Sequence, residues 1–205
     1  MIVDAKSVTY PVMESFYTVQ GEGMHAGRAA WFIRLGGCDV ECVWCDVKDS
    51  WNADAHPKFS VEQLVKDALQ HAARFVVITG GEPAMYDLTP LTEELKKNGI
   101  EIAIETSGAH ELQGAFDWIC LSPKKFKAPL ISSLKKANEL KVVIYNKTDF
   151  AWAEQHAQEV NIDCDLLLQP EHSRFNEMMP MIVDYVKTHP RWRISLQTHK
   201  IIGIP

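Results

Sequence analysis

The chain has 205 residues, of which 46% are hydrophobic and 23% charged, a composition typical of globular proteins. Its formal net charge of −6 argues against the chain-wide basic surface of a nucleic-acid-binding protein, and no apolar run reaches the roughly 18 residues of a membrane span. Residues Met1 to Asp4 lack the charged and apolar regions of a signal peptide, so we expect a cytoplasmic protein with reduced cysteines.

The first third of the chain combines extended segments with one clear helix signal. An extended segment is predicted over 9–20, a buried strand over 30–35 and irregular chain over 46–59. Ser60, with Gln63 three residues later, is typical of a helix N-terminus. The apolar residues that follow it at the helical period are Val61, Leu64, Val65, Ala68 and Leu69.

Strands and helices alternate through the rest of the chain. Strands are predicted over 75–78, 100–104, 118–121, 142–144, 165–168 and 192–196, and helices over 88–97, 130–139, from 149 onward and over 174–188. Gly99 is a stop signal for the first of these helices. This alternation predicts an α/β fold with a mostly parallel sheet. Because the sequence has no internal repeat and no linker, we expect a single domain over 1–205.

Polar or glycine-containing segments follow five of the predicted strands. They span residues 79–83, 105–108, 122–124, 169–171 and 197–200. The carboxyl ends of parallel strands share one edge, so these segments are expected to converge on one site. The alternative is that they are polar only because loops generally are.

Three of the five cysteines form a cluster, Cys38-x3-Cys42-x2-Cys45, directly after a predicted strand. This spacing favours a metal site, and three local thiolates on a four-iron cluster would leave one iron open to a small chelating ligand. A structural zinc site would need a fourth ligand, from Cys120, Cys164, His25 or His56, and the thiols could also be unligated. Cys120 and Cys164 are more typical of small core residues.

The cysteine spacing, with the aromatic Trp44 before the last cysteine, resembles the signature of the radical S-adenosylmethionine superfamily. Gly80-Gly81-Glu82-Pro83 resembles the second motif of that superfamily, and Glu82 could support the loop. From about residue 8 to the end, the chain resembles the 7-carboxy-7-deazaguanine synthase family. The segments that carry this resemblance are 16–23, 32–38, 104–108, 122–124 and 197–200.

The resemblance implies a fold and a reaction. The fold would be a trimmed, partial TIM-type barrel of parallel strands with outer helices. The cofactors would be a four-iron–four-sulfur cluster and S-adenosylmethionine, whose cleavage gives a 5′-deoxyadenosyl radical. That radical would take a hydrogen from C6 of 6-carboxy-5,6,7,8-tetrahydropterin, and ring contraction with loss of ammonia would give 7-carboxy-7-deazaguanine, an intermediate toward queuosine and related deazapurines.

The resemblance also implies roles for individual residues. The cluster ligands would be Cys38, Cys42 and Cys45; the S-adenosylmethionine site would include Trp44, Gly81, Ser107, Ser122, Lys124 and Gln169; and the pterin site would include Val19, Gln20, Gly21, Glu22, Arg34, Thr79, His199 and Pro205. The guanidinium of Arg34 suits the substrate carboxylate. The alternatives are that Gln20 and Glu22 are turn residues, Arg34 pairs with a structural carboxylate, and Lys124 and His199 lie at the surface.

One position departs from the resemblance. Family members often carry Thr or Ser after Cys-Asp, where the hydroxyl binds magnesium, but here Val47 follows Cys45 and Asp46. Magnesium would then bind through substrate, waters or Asp46, or be dispensable.

The resemblance implies a homodimer and a flavodoxin or ferredoxin as electron donor. Competing interpretations are another small radical enzyme, such as a glycyl-radical activase, and a non-catalytic iron–sulfur or zinc module.

Overall fold

The computed structural model describes residues 8–205, so the predicted lack of a signal peptide at Met1 to Asp4 lies outside the described residues. The strands are β1 (Thr9–Val19), β2 (Ala29–Leu35), β3 (Lys58–Ser60), β4 (Phe75–Gly80), β5 (Glu101–Thr106), β6 (Trp118–Leu121), β7 (Glu139–Ile144), β8 (Asp165–Pro170) and β9 (Trp192–Ile194). The helices are α1 (Val61–Leu69), α2 (Thr89–Lys97), α3 (Ile131–Leu134), α4 (Thr148–Ala157), α5 (Phe175–Thr188) and α6 (Thr198–Ile202). Over this range, no helix has the length and apolar character needed to cross a membrane.

The strands form one open sheet in the order β3-β1-β2-β4-β5-β6-β7-β8-β9. From β2 onward, each strand pairs in parallel with the next in this order, which confirms the predicted α/β fold with a partial barrel of parallel strands. An antiparallel edge of β1 and β3 completes the sheet. The chain between β1 and β2 spans only residues 20–28, which is too short for the parallel crossover of about a dozen residues.

Side-chain alternation along the parallel strands separates two faces of the sheet. On β4, Val76 and Ile78 pack into the main apolar core with residues of α1 and α2. Phe75 and Val77 point to the opposite face, which we call the inner face. There they form an apolar floor with Ala30, Phe32 and Ala103, against which Phe16 and Trp118 pack.

Polar side chains replace this apolar floor toward the carboxyl ends of the strands. Arg34 follows Phe32 at the next inner-face position of β2, and Thr79 follows Val77 on β4. Glu105, Ser122 and Gln169 occupy inner-face positions at or just beyond the ends of β5, β6 and β8, and Lys141 occupies an inner-face position in the middle of β7. Since their neighbours Leu121, Leu140 and Leu168 lie in the outer core, the alternation directs each of these polar side chains inward.

Local signals place two helix ends where the sequence predicted them. The Ser60 hydroxyl accepts a hydrogen bond from the backbone N–H of Gln63 at 3.2 Å and so caps α1. The Gln63 side chain bonds Asp67 instead of returning to the cap, so only half of the predicted capping box forms. Helix α2 ends before Gly99, whose φ of 69° lies in the left-handed region.

Three predicted element boundaries were wrong. The helix expected over 130–139 is confined to Ile131–Leu134, because Asn138 bonds the backbone of Ile119 and Glu139 already belongs to β7. The last strand ends at Ile194 rather than residue 196. Within the segment expected to be irregular, Lys58–Ser60 forms β3 by pairing with β1. This pairing is distant in the chain, and three residues are too few to show the alternation of apolar and polar side chains that identifies a strand.

Candidate active site

A cavity of about 260 Å³ opens at the carboxyl ends of the parallel strands, above the apolar floor. Its wall includes every residue predicted for the site. These are Val19, Gln20, Gly21, Glu22, Arg34, Cys38, Cys42, Trp44, Cys45, Asp46, Thr79, Gly81, Ser107, Ser122, Lys124, Gln169, His199 and Pro205. The polar segments after the strands therefore converge on one mouth, as expected for a parallel sheet of this kind.

The cysteine loop begins where β2 ends and is fixed by backbone hydrogen bonds. The N–H of Gly37 donates to the carbonyl of Ser50 at 2.6 Å, and the N–H of Cys38 donates to that of Trp51 at 3.1 Å. Within the loop, the N–H of Cys45 donates to the carbonyl of Cys42 at 2.9 Å. These bonds hold the three thiols on one compact turn facing the cavity.

The chemistry of this loop fits an iron–sulfur cluster. Cys38, Cys42 and Cys45 are free thiols grouped with the apolar side chains of Val40 and Ala109. Between residues 8 and 205, no three His, Cys, Asp or Glu side chains surround a single ion position. A four-iron cluster needs no such convergence, since each thiolate binds its own iron.

The protonation state of the thiols bears on cluster assembly. Burial raises the pKa of Cys42 to about 11 and also raises the pKa of Cys38. Because iron binds thiolates, cluster assembly must release these protons. The backbone N–H of Val47 donates to the sulfur of Cys45 at 3.4 Å, and hydrogen bonds of this kind tune the potential of a bound cluster.

The glycine turn after β4 is packed directly on the cysteine loop. A Cβ atom at Gly81 would lie 2.3 Å from the carbonyl oxygen of Gly37 and 2.8 Å from the Cβ of Cys38. The N–H of Glu82 donates to the same Gly37 carbonyl at 2.8 Å. Only glycine allows this approach of the two backbones, so the turn and the loop form one unit.

The buried carboxylate of Glu82 holds the turn after β4 to the end of β5. Only 1% of Glu82 is exposed, and its oxygens accept hydrogen bonds from the hydroxyl of Thr106 at 2.5 Å and the backbone N–H of Ser107 at 2.8 Å. The Ser107 hydroxyl and the N–H of Ala84 also donate to it. The predicted supporting role of Glu82 thus has a physical basis, since its buried charge is satisfied by four donors.

Lys124 extends toward the cavity, unlike its neighbouring lysines. Its ammonium donates to the Ser122 hydroxyl at 2.7 Å and lies 5.2 Å from the centroid of the Trp44 ring. Burial lowers the pKa of Lys124. Lys125 pairs instead with Asp149, and Lys127 pairs with Asp39. A cation, a hydroxyl and an aromatic face are therefore grouped beside the cysteine loop.

Glu22 is the centre of a hydrogen-bonded network on the opposite side of the cavity. Its Oε2 accepts from the ammonium of Lys141 at 2.5 Å and the amide of Gln169 at 3.1 Å, and its Oε1 accepts from the amide of Gln197 at 2.8 Å. Burial alone would raise the pKa of Glu22, but the charge and hydrogen bond of Lys141, with the two amides, lower it to about 2. Glu22 is therefore a carboxylate at neutral pH.

A second carboxylate lies on the other side of Lys141. Glu105 Oε2 is 3.8 Å from the Lys141 ammonium, and Glu105 Oε1 accepts from the Gln20 amide at 2.8 Å. Gln20 in turn accepts from the backbone N–H of Glu22 at 3.0 Å. Burial would lower the pKa of Lys141, but Cys120 and the carboxylates of Glu105, Glu22 and Glu139 raise it well above its ordinary value. Lys141 is thus a buried cation between carboxylates.

The C-terminal segment closes one side of the cavity against the turn after β1. The backbone N–H and the hydroxyl of Thr198 both donate to the carbonyl of Gly21, at 2.9 and 2.8 Å. His199 packs so tightly that a Cβ at Gly21 would lie 2.2 Å from its Nδ1. The Thr18 hydroxyl donates to the carbonyl of Pro205 at 3.2 Å, which holds the last residue at the cavity wall.

Arg34 and Asp46 each form an ion pair with a residue that was not predicted for the site. Arg34 donates through Nε to Glu14 Oε1 at 2.7 Å, an ion pair that uses one of its five N–H donors while the side chain still lines the cavity. Asp46 Oδ2 accepts from the ammonium of Lys200 at 2.8 Å. Beside it, the isopropyl group of Val47 offers no ligand atom. A magnesium ion at this position would therefore have no hydroxyl ligand from residue 47, and one oxygen of Asp46 already accepts from Lys200.

Comparison with known proteins agrees with this geometry. Residues 32–126 match the Radical SAM superfamily. The 7-carboxy-7-deazaguanine synthase of Flavobacterium psychrophilum is 54% identical over 98% of this chain and 95% of that protein. The enzyme of the same name from Synechocystis sp. is 49% identical over 99% and 97% of the two chains. This chain belongs to the 7-carboxy-7-deazaguanine synthase family.

A solved structure supports the same membership. The crystal structure of QueE from Escherichia coli superimposes with a TM-score of 0.83, covers 92% of this chain and 93% of that chain, and is 34% identical. The radical superfamily to which the synthases belong uses a four-iron–four-sulfur cluster and S-adenosylmethionine, and the cysteine loop fits this cluster. The non-catalytic iron–sulfur or zinc module is therefore the weaker interpretation.

Sequence reasoning missed part of the site of this synthase-family chain. Lys141, Glu105 and Gln197 line the cavity and bond the predicted residues Gln20 and Glu22, yet none was assigned a role. The available signal was a single lysine inside the apolar strand Glu139–Ile144, and a glutamate at an inner-face position of β5. Such residues are seldom buried without a partner, so they would have indicated the network.

Replacing Gly81 by alanine tests the contact between the glycine turn and the cysteine loop. The added methyl group would clash with backbone atoms of Gly37 and with the Cβ of Cys38. Because these atoms do not belong to the far end of a flexible side chain, the backbone of the cysteine loop would have to move. We expect Gly81→Ala to fold but to cleave S-adenosylmethionine about 100-fold more slowly, the typical effect of a displacement near 1 Å. Iron content and visible absorption after anaerobic reconstitution would show whether the cluster also forms less completely.

Gly27→Ala is the matched control for this variant. No atom lies within 4 Å of a Cβ at Gly27, so a methyl group there meets no neighbour, and its cost is the backbone strain of a φ of 89°, which lowers stability and not the packing of the cysteine loop. It should retain wild-type iron content and cleavage rate. Wild-type behaviour of Gly81→Ala itself would contradict the proposed close packing.

Proposed function

We propose that this chain converts 6-carboxy-5,6,7,8-tetrahydropterin into 7-carboxy-7-deazaguanine with loss of ammonia, in queuosine or deazapurine biosynthesis. The observation that carries this proposal is the joining, in one cavity, of the cysteine loop and the Glu22 network, in a chain that aligns over nearly its whole length with the synthases. A glycyl-radical activase would share the cysteine loop but has no use for the carboxylate and amide network.

The cofactor side of the cavity has the groups that S-adenosylmethionine requires. When bound, the cluster and S-adenosylmethionine supply the radical that removes a hydrogen from the substrate. Cys38, Cys42 and Cys45 hold the cluster. We assign the S-adenosylmethionine contacts to Trp44, Gly81, Ser107, Ser122, Lys124 and Gln169. Glu82 fixes the turn that carries Gly81, so the backbone facing the methionine amino group is held rigidly.

The substrate side of the cavity matches the two ends of a carboxypterin. The pterin amide edge carries adjacent N–H donors, and the ionised Glu22 with Gln20 and the backbone of Val19 and Gly21 offers acceptors and donors to pair with it. Arg34 has N–H groups beyond the one it shares with Glu14, which can bind the substrate carboxylate in the two-bond geometry that guanidinium favours. Thr79, His199 and Pro205 complete this wall.

The floor and wall of the cavity also limit the access of water to the reacting carbon. Phe16 and Phe32 stack with ring centroids 5.5 Å apart and line the cavity from below. Burial lowers the pKa of His199, so its imidazole is neutral at neutral pH. A radical intermediate would therefore meet an apolar floor and neutral or hydrogen-bonded polar groups, which helps to prevent side reactions.

The wider setting of the enzyme is also part of the proposal. We assign a cytoplasmic location, a homodimer, no nucleic-acid or membrane partner, and reduction by a flavodoxin or ferredoxin. The continuous nine-stranded sheet supports a single domain over 1–205. The free thiols of Cys120 and Cys164, which are 4% and 6% exposed in the core, are in keeping with a reducing compartment.

A product assay tests the proposed reaction. The protein would be reconstituted anaerobically with iron and sulfide, reduced, and given S-adenosylmethionine with 6-carboxytetrahydropterin. We expect mass spectrometry to detect both 5′-deoxyadenosine and 7-carboxy-7-deazaguanine, and Cys42→Ala to abolish both. Deoxyadenosine without the deazaguanine would retain the radical chemistry and reject the pterin substrate, whereas neither product from a protein with a verified cluster would reject the enzyme.

Magnesium dependence is a separate prediction. Because Val47 has no ligand atom and Lys200 already pairs with Asp46, we expect equal activity with and without magnesium after chelation. Val47→Thr restores the hydroxyl and should introduce stimulation by magnesium, together with binding of Mn²⁺ detectable by electron paramagnetic resonance. Val47→Ala is the matched control and should show neither. Strict magnesium dependence of the unmodified protein would overturn this account of position 47.

A further inference from the structure

Lys141 is the most unusual side chain of the cavity that no predicted role explains. It lies in the middle of β7, and its side chain is only 4% exposed. Its strand neighbours Leu140 and Val142 are fully buried in the outer core, so the alternation of β7 fixes Lys141 on the inner face. A buried ammonium is retained only where opposite charges or strong acceptors surround it.

The partners of Lys141 come from two different parts of the cavity wall. Glu22 lies on the turn after β1 and bonds the ammonium at 2.5 Å. Glu105 lies on β5, at 3.8 Å. Lys141 therefore bridges two carboxylates that would otherwise repel each other across the site. Two amides add to this bridge: the Gln20 amide donates to Glu105, and the Gln169 amide donates to Glu22. The network therefore joins the turn after β1 with the strands β5, β7 and β8.

Glu22 is expected to recognise the donor edge of the substrate, and this task requires an ionised carboxylate in a fixed orientation. Without a cation nearby, burial would raise the pKa of Glu22 and favour its protonated form. A protonated Glu22 would present an O–H donor to substrate donors. Lys141 is the largest of the influences that keep Glu22 ionised, with the amides of Gln169 and Gln197 adding to it.

We propose that Lys141 is a positioning residue for substrate recognition: its buried ammonium holds Glu22 and Glu105 as a fixed pair of acceptors for the adjacent N–H and amino donors of the pterin. This role rests on the proposed function. Lys141 acts through Glu22, to which it donates its hydrogen bond. Among the residues assigned to S-adenosylmethionine, only Gln169 meets this network, through its own bond to Glu22.

The test is a cycle of isosteric variants measured by steady-state kinetics. Lys141→Met keeps the length of the side chain and removes the charge, and Glu22→Gln keeps the shape of its partner. We expect Lys141→Met to raise the KM for the pterin by roughly ten- to hundred-fold, the usual effect of losing a charged hydrogen bond, with kcat largely retained. Lys141→Arg should recover part of the loss.

The double variant separates positioning from a merely structural role. If Lys141 acts through Glu22, Lys141→Met with Glu22→Gln should have the same KM as Glu22→Gln alone. Multiplied effects in the double variant, or an unchanged KM in Lys141→Met, would overturn the proposal. Should Lys141→Met alone fail to fold because it leaves Glu22 and Glu105 unpaired, the comparison of the double variant with Glu22→Gln still decides the question.

Two controls distinguish this proposal from the proposed function. Lys97→Met removes an ammonium whose side chain is 67% exposed and should leave all kinetic constants unchanged. S-adenosylmethionine cleavage without pterin should change much less in Lys141→Met than the KM for the pterin, since only Gln169 among the assigned cofactor residues bonds this network. A wild-type protein that cleaves S-adenosylmethionine but never turns over the pterin would contradict the proposed function and, with it, this role of Lys141.

Discussion

The two-residue alternation of the parallel strands, held in register from β2 to β8, is the constraint on which the whole site depends. Arg34 pairs with Thr79 across β2 and β4, and Val143 pairs with Gln169 across β7 and β8. One face of each strand packs against helices, so the other face must carry the floor and the site. A shift of one residue would turn every cavity residue of that strand into the core.

Given this frame, the chemistry divides between two sides of the cavity. The cysteine loop after β2 and the glycine turn after β4 are joined through backbone contacts at Gly37, where only glycine at position 81 fits. The opposite side is held by charge, with one buried ammonium between carboxylates and amide donors on the remaining lone pairs. Removing one charged member would leave the other charge buried without a partner, which typically lowers the free energy of unfolding by about 3–5 kcal/mol. The charged residues of this network therefore depend on one another.

The sequence was sufficient for the main architecture and for most of the wall of the site. Near-continuous apolar runs identified the central strands, and the segments that follow them identified the mouth of the cavity. The short strand Lys58–Ser60 and helix Thr198–Ile202 were missed because they depend on contacts with β1 and with Gly21 that are distant in the chain. Lys141 was missed for another reason: the prediction considered residues after the strands and not the inward-facing positions within them. Glu105 lay in the predicted segment 105–108 but received no role. Applying the alternation to β7 would have placed Lys141 beside Glu22.

Three protein thiolates on a four-iron cluster would leave one iron open to S-adenosylmethionine at the cavity. Electron paramagnetic resonance of the reduced, reconstituted protein tests this directly. We expect S-adenosylmethionine to change the spectrum of the cluster, because its amino and carboxylate groups would bind the open iron, and 5′-deoxyadenosine, which lacks these groups, to leave it unchanged. A verified four-iron cluster whose spectrum does not respond to S-adenosylmethionine would show that none of its irons is open to this cofactor.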